Sequence, residues 1–457
     1  MLVAIAMVAI VAMAALSIDV VTLYLARMEA QRAADAGALA AARVISVSGL
    51  TGDPGNTSWG SICGGSTSPA TLAAYAAATQ SAVDGVPVNT PSVMYSAGVA
   101  APVSDCSSGL TVAFGVNPLI TVKVTRNNLP TFFSRLWGNT GNTVNATAVA
   151  EVFNSSSSNT VTGSTIIPVQ PRCVKPWMVP NLDPLNPSSS TCTNSSNCTP
   201  FVDPTDGHIE HAGISLNGTN ANGVIGETFW LSPDCNRFGS SCTLRQSPPG
   251  ANYFPGGGRN LQPPPSLQYL PAMIPATGPV AVPSCAAGLG FYQQSIAGCD
   301  QSTVYQCGVQ RMNTIELTEN PAADTTDGVE CLIHEGNPAA GQPDGQDTLQ
   351  PYSAPSSYPF QILAGSSNPV IASASKISAS NSIVSVPIYD PVAIHPTGGT
   401  QVTIVGFLQV FINSVDQHGN VNVTVLNVTG CSNGSNGNVG TAVTGSSPVP
   451  IRLITAP

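Results

Sequence analysis

From Met1 to Ala26 the chain has one side chain that is charged at neutral pH, Asp19, in a run otherwise built mainly from Ala, Val, Ile, Leu and Met. At about 1.5 Å per residue, the 18 residues ahead of Asp19 reach about 27 Å, close to the roughly 30 Å of a bilayer's hydrocarbon. Such a rod is expected to span a membrane. A cleaved signal peptide would have a shorter apolar stretch and a small-residue cleavage site before folded sequence. Here the helical pattern runs on through Leu23 to Arg27 and into Ala33 to Ala42, with no Gly or Pro before Gly37. The helix should therefore leave the bilayer as a stalk. On that stalk Arg27, Gln31 and Asp35 form a polar stripe, and Leu25, Met28, Ala36 and Leu39 are expected to pack against something. Asp19 lies near the outer end of the span, where an interfacial position is the simple reading. The sharper one is helix assembly: Asp19 pairing with a basic group of a neighbouring subunit and setting register, since an ionised carboxylate in lipid is costly.

Twelve cysteines form an even set, with no Cys-x-x-Cys and no His at a common zinc spacing. Disulfides are the expected use, which places the bulk of the chain in an oxidising compartment, periplasmic or extracellular. The positive-inside rule would put Arg27, Arg32 and Arg43 in the cytoplasm. The cysteines override it, and a longer natural N-terminus carrying basic residues is expected ahead of Met1. Only 8% of residues are charged, and 14 basic against 24 acidic residues leave a net charge of -10. A surface with no basic footprint excludes nucleic acid as a partner. At 42% hydrophobic the chain can bury a sizeable core, while 43 Gly and 39 Pro predict many turns.

The runs Ala15-Leu16-Ser17-Ile18-Asp19-Val20, Leu23-Tyr24-Leu25-Ala26-Arg27 and Gln31-Arg32-Ala33-Ala34-Asp35-Ala36-Gly37-Ala38-Leu39-Ala40-Ala41-Ala42 together resemble the N-terminal segment of TadG-like proteins, which belong to the tight-adherence (Tad, or Flp) pilus-assembly machinery of bacteria. A weaker likeness continues through Pro130 to Gly138 and Val144 to Ala150. In the far half, Ile296 to Cys299 and Asp327 to Ile333 look like extracellular portions of longer members. The resemblance implies a pilus-assembly or anchoring role, possible surface adhesion, and as partners membrane lipid with other pilus-assembly proteins or pilin-like subunits.

Leu110, Val112, Phe114 and Val116 alternate, Asn117-Pro118 makes a break, and Ile120, Val122 and Val124 resume the alternation, predicting a hairpin. Val144 to Val152 supplies a third strand. A helix laid on such a sheet is how pilin-like subunits bury a helix stripe. Cys63 and Cys106, the cysteines of this unit, are expected to bond each other. Residues 154–164 read as a Ser/Asn linker. Beyond it Ile383 to Ile388, Val402 to Phe411, Val421 to Val428 and Ile451 to Ile454 are β-rich, with a turn at Asp416 to Asn420. Ser247 to Ser266, rich in Pro and Gly, reads as an irregular excursion. Cys192 with Cys198 and Cys235 with Cys242 are candidates for local loop clips. The expected fold is α+β: a transmembrane helix over 1–26, a pilin-like helix-on-antiparallel-sheet unit over 27–153, the linker 154–164, and a β-rich, loop-rich, disulfide-stapled region over 165–457.

Chemistry-bearing motifs are few. The sequence has no Gly-x-Ser-x-Gly elbow, no phosphate-cradling Gly-x-x-x-x-Gly-Lys-Ser/Thr loop and no His-Glu-x-x-His helix. Asp105-Cys106-Ser107-Ser108-Gly109 misses the Asp-x-Ser-x-Ser metal site of von Willebrand A domains at its last position. The best polar constellation runs from Asp203 to His211. There Asp203, Asp206, His208 and His211 are candidate ligands for a divalent cation, against the plainer reading of Asx-turns opening a solvated loop. Asp324-Thr325-Thr326-Asp327-Gly328 is read as a similar turn-prone stretch, and His334, Glu335 and His395 as isolated singles. The expectation is a membrane-anchored structural component of Tad/Flp pilus assembly that is no enzyme and has no cofactor. The alternative is an anchored extracytoplasmic hydrolase or glycan-binding module with its site in the C-terminal region.

Overall fold

In a computed structural model, the structure describes residues 2–52, 59–98, 101–107, 110, 112–131, 141–154, 169–186, 199–213, 223–233, 265–275, 278–307, 312–318, 321–336, 344–350, 361–377, 379–391, 401–431, 443–445 and 447–454. Contacts divide the chain into two compact units, the first formed by 1–45, 57–152 and 451–457, the second by 46–56 and 153–450.

In the first unit one continuous helix, α1 (Leu2–Val47), joins the apolar run to the stalk. Its early side chains stand exposed, among them Met7, Ile10, Leu16, Val20 and Tyr24. From Ala26 onward one face is buried, and it is made of small residues: Ala30, Ala33, Ala34, Ala38 and Ala41 are fully covered. Leu25 and Met28 are instead 53% and 40% exposed, so the packing stripe expected at Leu25, Met28, Ala36 and Leu39 is replaced by this alanine face. The physical reason is distance. Alanine and Gly37 let α1 approach its neighbours until a Cβ placed on Gly37 would lie 3.2 Å from both the Ala74 carbonyl oxygen and Val122 Cγ1. Ala74 belongs to α2 (Pro69–Thr79), started by a proline at its first turn. Val122 belongs to the sheet.

That sheet is antiparallel throughout, with β1 (Ser92–Ala97) beside β2 (Pro118–Leu129), β2 beside β3 (Asn142–Val152), and the C-terminal strand Ile451–Ile454 outside β3. Val122, Val124, Ala146 and Ala148 alternate inward along β2 and β3. Ile451–Ile454, read from sequence with the C-terminal sheet, is thus an edge strand of the first unit. It is tied there by Arg452 Nε, which donates to Glu151 Oε2 at 2.5 Å, while Asn117 Nδ2 donates to Glu151 Oε1 at 2.6 Å. Val112–Val116, expected as a strand, is one turn of helix. Phe114 there packs edge-on against Trp59 and Tyr95, with ring centroids 5.5 and 6.3 Å away. The hairpin is formed by β1 with β2 instead. Cys63 and Cys106 are bonded to each other and buried.

The second unit is built on β4 (Trp177–Pro180), β5 (Thr228–Pro233), β6 (Ser266–Met273), β7 (Met312–Thr314), β8 (Ile383–Tyr389), β9 (Gln401–Val415) and β10 (Val421–Gly430). Their order is β7-β9-β8-β4-β6-β5-β10, and β9 also pairs with β10, so six strands close into a ring with β7 attached. Closure removes the free edges that an open sheet would leave. The pairs β8/β4 and β5/β6 are parallel and the others in the ring antiparallel. The long β9 is buried along almost its whole length, with Phe407 and Phe411 fully covered. Asp416 to Asn420 makes the turn into β10, the Asp416 carboxylate accepting from the amides of His418 and Asn420.

Outside the ring, the helices Phe291–Ala297 and Pro321–Ile333 pack together, and Cys285 is bonded to Cys331. Asp324 to Gly328, read as a turn, lies inside the second of these helices. Cys173–Cys299 and Cys307–Cys431 join segments more than a hundred residues apart. Asn154, expected to open the linker, is buried; it donates to Val428 O at 2.9 Å and accepts from Thr429 Oγ1 at 3.0 Å. Residues 155–164, Phe132 to Gly138, the excursion 247–264, Ser108, Gly109, His395 and Cys192, Cys198, Cys235 and Cys242 lie outside the described residues.

Candidate functional site

Asp203, Asp206 and His208 come together on an exposed loop with donor atoms within 4.8 Å of one another. One oxygen of each carboxylate is already occupied. Asp203 Oδ1 accepts from the amides of Thr205 and Asp206, and Asp206 Oδ1 accepts from the amide of His208 and meets its Nδ1 at 2.5 Å. These are Asx-turns. Desolvation works against the charged His208 ring, but the hydrogen bond and charge of Asp206, with Glu210 and Asp203 behind it, outweigh it and raise the pKa. Asp206 is slightly desolvated as well, and the bonds from His208 more than offset this and hold its carboxyl below the usual range.

His211, three residues on, belongs to a different and buried group. It converges with Asp183 and Glu227, again with donor atoms within 4.8 Å of one another. The backbone explains why three residues so far apart in sequence meet. Strands β4 and β5 flank β6, β4 antiparallel to it and β5 parallel, so the end of β4 and the start of β5 lie at the same end of β6. Asn181, just past β4, holds the next segment: its Nδ2 donates to Val202 O at 2.7 Å and its Oδ1 accepts from the amides of Phe201 and Val202. The amide of Asp183 then donates to Thr199 O, and Asp183 Oδ1 accepts from the amides of Leu185 and Asn186. On the other side Val425 N donates to Glu227 O at 2.9 Å, which extends the β5/β10 ladder back to Glu227. His211 is fixed through its carbonyl, which accepts from Val224 N at 3.0 Å. Beside it Gly213 and Gly223 cross so closely that a Cβ on Gly223, at φ +133°, would fall 2.3 Å from the Gly213 carbonyl carbon.

Asp183 and Glu227 are fully covered and His211 is half-buried. Burial pushes the Glu227 carboxyl up to about 10, with the nearby Asp183 charge adding to it, and burial raises Asp183 too. The two carboxyls are close enough to share a proton in a hydrogen bond, and with both ionised Asp183 Oδ2, both carboxyl oxygens of Glu227, and His211 Nδ1 are buried with no hydrogen-bond partner in the protein. A bulky substrate does not reach two carboxyls enclosed in this way; a proton or a single ion does. Of the residues named from sequence, only His211 enters this group. Asp183 and Glu227 carry no local signal except that Glu227 directly precedes the apolar strand Thr228–Pro233.

The remaining functional feature is α1. Among the described residues, Ile10–Val47 is the stretch long and apolar enough to cross a membrane. Asp19 is buried, although Ile18 and Val20 beside it are about half exposed. The molecule therefore combines a span-length helix docked through small residues onto an antiparallel sheet with a disulfide-bonded, closed β unit. The family model described as putative Flp pilus-assembly TadE/G-like matches residues 1–44. Over those residues the chain is TadE/G-like, and a part in Tad pilus assembly is the role that match supports. No curated protein and no solved structure matches the chain.

Proposed function

We propose that this chain is a membrane-anchored structural component of Tad/Flp pilus assembly, with the disulfide-bonded body on the extracytoplasmic side and no catalytic role. The observation that carries the reading is α1. Its first half exposes apolar side chains suited to lipid, and its second half is fixed to a sheet by an alanine face. A single continuous helix of 46 residues, about 69 Å long, thus couples an anchor rigidly to the first unit. Four disulfides among the described residues support an oxidising location. Partners would be other pilus-assembly proteins, met through helix association in the bilayer and through the folded units, and a contribution to surface adhesion would follow from the exposed body.

The test is affinity capture of the full chain from detergent-solubilised membranes of its own host. Retrieval of Tad/Flp pilus proteins, reduced by substituting Asp19→Asn, is the expected result. Capture that brings none of them, or a chain that remains soluble without detergent, would contradict the reading.

A further inference from the structure

We propose that Asp183, His211 and Glu227 bind one divalent transition cation, zinc being the best match. The argument starts from the unpartnered atoms. With both carboxyls ionised, two fully buried carboxylates and an imidazole leave four polar atoms, Asp183 Oδ2, Glu227 Oε1 and Oε2, and His211 Nδ1, without a protein partner. Buried polar groups are almost always satisfied, so these need a common explanation. A proton shared between the two carboxyls would occupy one oxygen of each and still leave a Glu227 oxygen and the ring nitrogen unmet. A cation satisfies all four at once, Glu227 binding through both oxygens, and its charge offsets two carboxylates that would otherwise repel each other in a dry site.

The donor set also selects the ion. An imidazole with two carboxylates suits zinc and, next, manganese, whereas calcium prefers an all-oxygen shell. Asp183 Oδ2, the two Glu227 oxygens and His211 Nδ1 together supply the four donors of a four-coordinate zinc shell. The supporting shell is in place, since Asp183 Oδ1 is held by the amides of Leu185 and Asn186. The exposed group Asp203, Asp206 and His208 is a weaker candidate, because none of its polar atoms is buried without a partner. Bound metal would join the exit of β4, the entry of β5 and the 199–213 segment, a clip acting on the ring as the disulfides do.

The experiment uses the full chain in detergent without a histidine tag, stripped with chelator, equilibrated with zinc chloride or manganese chloride, desalted, and analysed for metal content and melting temperature. About one zinc per chain is expected, with a higher melting temperature than the stripped chain. His211→Ala and Glu227→Gln should each weaken binding by more than the roughly 10–100-fold that loss of a supporting partner costs a metal site. His208→Ala should leave the stoichiometry unchanged. Retention of manganese in place of zinc supports the site and reassigns the ion. Wild-type chain that retains neither metal and melts at the same temperature with and without them overturns the proposal, whether or not the variants fold. So does zinc lost on His208→Ala and kept on Glu227→Gln.

Discussion

At Gly37 α1 lies close to both α2 and the sheet, with space for a hydrogen and little more. A larger side chain must push α1 outward. Gly37→Leu should therefore cost about 1–3 kcal/mol, as overpacked cores do, seen as a lower denaturation midpoint of the full chain in detergent. Lys175 offers a second residue-level test. Its ammonium is buried and donates to Ile296 O at 2.6 Å and Gly298 O at 2.8 Å, and desolvation pulls its pKa down to about 7. Because this folded value lies below the unfolded one, the unfolded chain holds the extra proton between pH 7 and about 10.5, and stability rises with pH through that window. Below about pH 7 both states are charged and the penalty is constant. Lys175→Met should flatten the rise between pH 7 and 9; an unchanged slope would mean that Lys175 is not its source. At this scale the sequence is only partly legible. His211 stands out because the chain has five histidines. Asp183 and Glu227 acquire meaning only once β4, β5 and β6 bring them together, and no spacing rule joins residues 44 positions apart.

At the scale of elements, long runs with a consistent pattern were readable and short ones were not. Val402 to Phe411 and Val421 to Val428 are apolar over enough residues to be strands of a closed core, and the Asp416 to Asn420 turn is set by its own side chains. Leu110 to Val116 alternates like a strand, yet packing of Phe114 between Trp59 and Tyr95 decides for a turn of helix. Asp324 to Gly328 has turn-forming residues throughout. Packing on Phe291–Ala297 and the bond from Cys285 to Cys331 hold it helical, so tertiary contacts override local preference. The Cys63–Cys106 bond, spanning 43 residues, should contribute roughly 4 kcal/mol by the loop-entropy estimate. Cys63→Ser with Cys106→Ser should thus make the segment around Trp59 and Phe114 sensitive to limited chymotrypsin digestion, while the packed helices Phe291–Ala297 and Pro321–Ile333, which also carry aromatic or leucine sites, stay resistant. Equal resistance in both segments would count against this assignment.

For the whole molecule, the division into two units has a consequence for truncation. Removal of 451–457 takes away the edge strand of the first unit and the Arg452 partner of Glu151, and leaves every strand of the six-membered ring in place. Such a chain should lose stability in the β1–β3 sheet and keep a protease-resistant ring, whereas loss of both together would mean that the units fold as one. The membrane role rests on α1, with the TadE/G-like match and the exposed apolar half in the same residues. The central claim is most directly tested by adding protease to intact cells and following the chain with an antibody to the ring. The account predicts that the disulfide-bonded body is cleaved from outside, once the outer layers are permeable, while an N-terminal fragment stays in the membrane pellet. A body that is digested only after the cytoplasmic membrane is broken would contradict it.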